Sequence, residues 1–116
     1  MKNKETTRAF SDAHEKSVCK VVNGVQTSNS GAGLFTKGDV INKTASLLVE
    51  CKCPMTEKDS FSIKKEWIEK NNSEKKWMQL SNSCVAFQFA PNTPNYFVID
   101  EKLMRFLVEK LEEDND

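Results

Sequence analysis

The run Gly38-Asp39-Val40-Ile41 precedes Val49-Glu50-Cys51-Lys52, with Asp39 and Glu50 eleven positions apart. Side chains alternate faces along a strand, so Glu50 and Lys52 share one face and Cys51 takes the other. If the two runs pair as an antiparallel hairpin, Asp39 near the start of one strand comes beside Glu50 near the end of the next. Two carboxylates and a lysine next to an apolar strand are a costly arrangement without a compensating ion. Oxygen ligands of this kind favour Mg²⁺ or Mn²⁺, which bridge carboxylates to a phosphate oxygen. A lysine beside them can orient an attacking water or stabilise charge developing on phosphorus. An isolated E-x-K is common by chance, and the alternative is a surface ion pair on a strand. Context favours chemistry here. The E-x-K closes an apolar strand, the acid before it follows a glycine, and a lysine-rich helix comes next.

The elements that must position these residues are legible in the hydrophobic periodicity. Phe10, Ala13, Val18 and Val22 recur at roughly helical spacing from Arg8 to Val22, with Ser11 and Asp12 as N-cap candidates and Asn23-Gly24 as a stop. Residues 25–33 read as a polar loop or short edge strand. Leu34–Ile41, interrupted at Lys37-Gly38-Asp39, and Ala45–Cys53 read as strands joined by a turn at Asn42-Lys43. A helix is predicted from Phe61 to about Leu80, capped by Ser60 or Ser62. Ile63, Trp67, Ile68 and Met78 line its buried side, and Asn71-Asn72 marks a weak point. Cys84–Ala90 and Tyr96–Asp100 read as a strand pair around the turn Pro91-Asn92-Thr93-Pro94-Asn95. Asp100 caps a last helix with Leu103, Phe106, Leu107 and Leu111 on one stripe. The order α-β-β-β-α-β-β-α predicts an α/β domain, a mixed sheet of about five strands flanked by helices.

Composition agrees with a single globular domain. The chain has 116 residues, 38% hydrophobic and 29% charged, enough to bury a core without disulfides or metal. No stretch can span a bilayer and the first residues lack an apolar signal core, which predicts a soluble, cytoplasmic protein. The net charge of zero hides an asymmetry. Residues 1–77 carry 14 basic and 10 acidic side chains, and residues 78–116 carry 3 and 7. A basic face for a polyanion is compatible with this, as are two ordinary solvated faces. Cys19, Cys51, Cys53 and Cys84 read as reduced, buried thiols, since C-x-C lacks the usual spacing of a zinc site. His14 reads as a surface histidine, and Trp67 and Trp77 as core or dimer packing.

Taken in order, an acid-bearing first helix, a Ser/Gly loop, G-D, E-C-K, the run Phe61-Ser62-Ile63-Lys64-Lys65-Glu66-Trp67 and two closing strands resemble the PD-(D/E)xK nuclease superfamily. Within it, the similarity is to the small Holliday junction resolvases of phages and archaea. The resemblance covers nearly the whole chain and implies a restriction-endonuclease-like fold. It implies Glu15, Asp39, Glu50 and Lys52 as catalytic residues, with Asp39, Glu50, Glu15 and the main-chain carbonyl of Cys51 holding one or two Mg²⁺ ions. Mn²⁺ would also serve. Ser30 and Gly31, in Ser30-Gly31-Ala32-Gly33, correspond to a loop that contacts substrate phosphate, and Lys64 and Lys65 to a basic segment gripping the DNA backbone. Asp12, one turn from Glu15, competes for the helix-acid role.

The activity implied is Mg²⁺-dependent hydrolysis of DNA phosphodiesters by a homodimer, leaving 5′-phosphate and 3′-hydroxyl ends. Branched or double-stranded DNA is the partner, in the host cytoplasm if the protein is phage-encoded. A restriction- or repair-type nuclease on the same fold is one alternative, although 116 residues leave little room for a sequence-recognition region. A non-catalytic DNA-binding module is the other. Unpaired carboxylates facing phosphate would serve it no purpose.

Overall fold

A computed structural model describes residues 4–27 and 39–116. The chain is an α/β domain, a five-stranded mixed sheet with three helices. The elements are α1 (Lys4–Val22), β1 (Val25–Gln26), β2 (Asp39–Asn42), β3 (Leu47–Lys52), α2 (Lys65–Trp77), β4 (Asn82–Phe87), β5 (Tyr96–Val98) and α3 (Glu101–Asp114). The sheet order is β1-β2-β3-β4-β5. All neighbours are antiparallel except β3 and β4, which are parallel and connected through α2, as a parallel pair requires a crossover.

The β2–β3 turn sets the register on which the rest depends. The Asn42 side-chain oxygen accepts from the Ala45 N–H at 2.9 Å, and the Ser46 N–H donates to the Lys43 carbonyl at 3.1 Å. Ser46 takes a left-handed conformation, φ 55°. The result is Asn42 opposite Leu47, Ile41 opposite Leu48, Val40 opposite Val49 and Asp39 opposite Glu50.

Alternation then divides the sheet. Val40, Val49, Cys84 and Ala86 face α1 and form the core with Val18, joined at its margin by Cys19, Val22, Leu47, Cys51, Phe97 and Ile99. The opposite face, with Asp39, Glu50, Lys52, Ser83 and Val85, lies toward α2. The end of α1 sits hard against β2. Asn23 turns left-handed (φ 55°), the Gly24 N–H closes on the Cys19 carbonyl at 3.0 Å, and a Cβ on Gly24 would stand 2.8 Å from the Ile41 carbonyl oxygen. Glycine is required there by close approach.

Several predicted boundaries shift. Helix α1 begins at Lys4, so Ser11 and Asp12 lie inside it rather than capping it. Helix α2 begins at Lys65 with no side-chain cap from Ser60 or Ser62. It runs unbroken through Asn71-Asn72 because both asparagines find partners on β4. Asn71 donates to the Cys84 carbonyl at 2.9 Å, and the Asn72 side-chain oxygen accepts from the Ser83 hydroxyl at 3.0 Å. Residues 28–38, which include Ser30, Gly31 and Gly38, lie outside the described residues. No helix among the described residues is long and apolar enough to cross a membrane.

Candidate active site

Asp39 is the first described residue of β2 and Glu50 is its direct cross-strand partner, so both carboxylates project from the α2 face of the sheet. They are almost fully buried, Asp39 at 1% and Glu50 at 3% exposure. Lys52, two residues on and on the same face, has its Nζ 3.7 Å from Glu50 Oε1. It opposes Phe87 on β4.

A third acid completes the cluster, one that sequence reasoning missed. Glu74 on α2 is 1% exposed and faces Asp39 and Glu50, with the Lys70 Nζ at 3.7 Å one turn before it. The predicted buried stripe of α2 was Ile63, Trp67, Ile68 and Met78. The structure buries Asn71 and Glu74 most deeply, half-buries Ile63, Trp67 and Met78, and leaves Ile68 37% exposed. The signal was present as a spacing: Trp67, Asn71, Glu74 and Met78 follow i, i+4, i+7, i+11, one helix face. Its two central members, Asn71 and Glu74, are polar, and apolar periodicity alone does not mark them.

Burial dominates the electrostatics. It pushes the Asp39 carboxyl up to about 10, reinforced by Glu50 and then Glu74 beside it. Glu74 is also raised by burial, against the opposing pull of Asp39 and Lys70. Asp39 Oδ1 and Glu74 Oε2 are buried without a hydrogen-bond partner. Such atoms are destabilising unless something else satisfies them. Oxygen donors, surplus negative charge and unsatisfied lone pairs fit a Mg²⁺- or Mn²⁺-type cation. Mg²⁺ uses one or two carboxylates together with waters and substrate phosphate, and Asp39 and Glu50 supply that number. Among the described residues no three His, Cys, Asp or Glu side chains form a ready-made metal cage. The fit is thus to an open site completed by water and phosphate, with Glu74 behind it.

Lys52 is held from a second side. Its Nζ lies 4.6 Å from the centroid of the Trp67 ring, and Lys64 Nζ stands 5.8 Å from the same ring. Phe61 stacks on Phe87 at 4.9 Å and packs against Trp67 at 6.2 Å. The segment Phe61–Trp67 therefore builds an aromatic floor under Lys52 and brings a second lysine beside it. Lys64 and Lys65 are exposed at the start of α2. Trp77, expected to pack in the core or a dimer, is 72% exposed.

Glu15 is placed differently. It is buried on α1 one turn before Val18, on the opposite face of the sheet from the Asp39–Glu50 pair. The Gln26 side-chain amide, on that same face, donates to Glu15 Oε1 at 3.1 Å and to Asp12 Oδ1 at 3.0 Å. Burial raises Glu15 and the Gln26 bond partly offsets this, while Asp12, paired with Lys16 at 3.0 Å, raises it further. Asp12 itself is lowered by Gln26 and Lys16. The Cys51 thiol points to this α1 side, where burial first and then Glu15 hold its ionisation far above the usual range. Its main-chain carbonyl remains between Glu50 and Lys52. His14, expected on the surface, is buried between α1 and the turn after β4, with Phe10, Gln88 and Thr93 around it. Burial lowers its pKa.

The Thr27 N–H and hydroxyl both donate to the Asp39 carbonyl, at 3.0 and 3.3 Å. The chain thus leaves β1 and re-enters β2 at the edge of the acid cluster. Compared with known proteins, the chain matches no family model, no curated protein and no solved structure.

Proposed function

We propose that the protein is a metal-dependent DNA endonuclease that hydrolyses phosphodiester bonds, with branched DNA of the four-way junction type as its substrate. The observation that carries this reading is the Asp39–Glu50 register. It sets two buried carboxylates side by side, with Lys52 on the same face 3.7 Å from Glu50.

Asp39 and Glu50 would hold the cation. Bound there, Mg²⁺ would neutralise charge on the scissile phosphate and lower the pKa of a water in its shell. The remaining work belongs to the chain. Glu74 adds negative charge behind the pair and biases it toward cations over anions. Lys52, steadied by Glu50 and the Trp67 face, presents an ammonium to the phosphate oxygen or to the attacking water, where charge develops in the transition state. Lys64 and Lys65 supply cations for flanking phosphates, which position the duplex without reading its bases. Glu15, across the sheet, serves with Asp12 and Gln26 to fasten α1 to β1.

The deciding experiment is a cleavage assay on four-way junction, duplex and single-stranded DNA, with Mg²⁺, Mn²⁺, Ca²⁺ or EDTA. Junction cutting with Mg²⁺ or Mn²⁺, and binding without cutting in EDTA or Ca²⁺, is expected. Cleavage at full rate in EDTA would end the metal reading, and preference for duplex would replace the junction by a duplex substrate.

A further inference from the structure

Helix α3 carries no buried residue along its 14 positions, although Leu103, Met104, Phe106, Leu107, Val108 and Leu111 give it a broad apolar arc. It starts properly, with Asp100 accepting from the Leu103 N–H at 2.9 Å. Helices of this length are marginal in water by themselves and are held by packing of an apolar face. Here the chain's own packing is thin. A groove of about 890 Å³ runs between α3 and the sheet, walled by Val21, Leu47, Phe97 and Ile99 on one side and Phe106 and Leu107 on the other. Met104, Val108 and Leu111, at i, i+4 and i+7, form a second apolar line about a quarter-turn or more away from the groove.

We infer that α3 and its groove are the interface between two copies of this chain, packed with their α3 helices antiparallel about a two-fold axis near Val108. Charge selects this occupant. An axis midway between Val108 and Glu109 sets position 108−n of one helix against 109+n of the other, so Arg105 meets Glu112 of the second copy, twice. Both residues flank the Met104–Val108–Leu111 line on the same side, and neither has an ion-pair partner among the described residues of its own chain. A parallel arrangement would instead set the acidic ends, Glu109, Glu112, Glu113 and Asp114, against each other. The same acidic end would be repelled by an anionic membrane, which disfavours a lipid surface as occupant. The size is adequate. A helix of 14 residues is about 21 Å long, and with the groove beside it offers a strip on the order of the 800 Å² per partner of a standard interface. This inference is independent of the nuclease reading, because it uses none of the residues near Asp39.

The test is sedimentation equilibrium of the full chain across roughly 1–100 μM, a range that brackets micromolar dimers. A concentration-dependent dimer is expected. Arg105→Glu and Glu112→Arg should each weaken it by about tenfold or more, and the double charge swap should restore it. Val108→Glu should abolish it while leaving the circular-dichroism melt of the monomer intact, since that side chain is exposed. A monomer at the highest concentration overturns the inference. So does a dimer indifferent to all of these variants, or a monomer whose α3 binds anionic vesicles.

Discussion

Asp39 and Glu74 lie together, buried against one face of the sheet, although thirty-five positions separate them in the chain. The parallel β3–α2–β4 crossover brings them there, laying α2 over β3 and β4 so that Glu74 comes beside the Asp39–Glu50 pair. An acid with no surface role is therefore part of the site's charge. Glu74→Gln keeps shape and removes one negative charge. The fold should persist, and the Mg²⁺ concentration giving half-maximal cleavage should rise by roughly 10–100-fold, the range for residues that support metal ligands. An unchanged Mg²⁺ titration would make Glu74 a purely structural acid.

Lys52 and Trp67 form the second testable relationship. Lys52→Ala should lower the cleavage rate by about 10²–10³, with junction and metal binding retained. Trp67→Phe keeps an aromatic face and should stay within a few-fold of the parent. Trp67→Ala removes the face under the ammonium, an interaction worth roughly 0.5–2 kcal/mol, and should lower kcat more than it raises KM. Equal activity of Trp67→Ala and the parent would show that the ring does not position Lys52.

The raised Asp39 carboxyl makes stability pH-dependent in EDTA. Its folded value stands at about 10, above its ordinary value of 3.8. The unfolded chain therefore sheds this proton first, and folding is progressively disfavoured as pH rises from about 4 toward 10. Thermal melts in EDTA should show Tm falling over that range. Asp39→Asn should flatten the dependence and melt higher than the parent at pH 8. Mg²⁺ should raise the Tm of the parent at pH 8 and leave that of Asp39→Asn unchanged. A parent Tm that climbs with pH would contradict the burial of this acid.

Binding should be dominated by interactions with phosphate and so be steep in salt. Replacing Lys64 and Lys65 together by Ala should weaken junction binding and reduce the slope of log K against log salt by up to about 2 units, about 0.9 for each phosphate that a lysine no longer neutralises. Cleavage at saturating DNA should change less than binding does, because neither ammonium touches Glu50 or Asp39. A slope equal to the parent's would place the DNA surface elsewhere on the chain.

The local parts of this protein were legible without coordinates. The apolar run Leu47-Leu48-Val49, stopped by Pro54, marks this segment as a buried strand, and the short turn after Asn42 makes an antiparallel hairpin the economical partner for Asp39–Asn42. Asp39 beside Glu50, with Lys52 on the same face, follows from that hairpin and from alternation alone. The Asp100 cap and the apolar stripe of α3 follow equally from local rules.

What depends on the meeting of distant segments was decided only by the tertiary structure. The phase of α2 is one case: Asn71 and Glu74 turn inward because a backbone carbonyl of β4 and the carboxylates of β2 and β3 await them, and no helical rule ranks such residues as buried. Glu15 is another. Its spacing puts it on the buried side of α1, but which side of the sheet α1 covers depends on how Val18 packs against Val40 and Val49, and that placement separates Glu15 from Asp39. The exposure of α3 is the third. An amphipathic stripe states that a helix needs a partner surface, whereas α1 and α2 cover the centre of the chain's own sheet and only the groove beside Leu47, Phe97 and Ile99 is left next to α3, so its stripe faces outward. Periodicity is a property of one segment. The identity of the neighbour that satisfies it is a property of the whole packed chain.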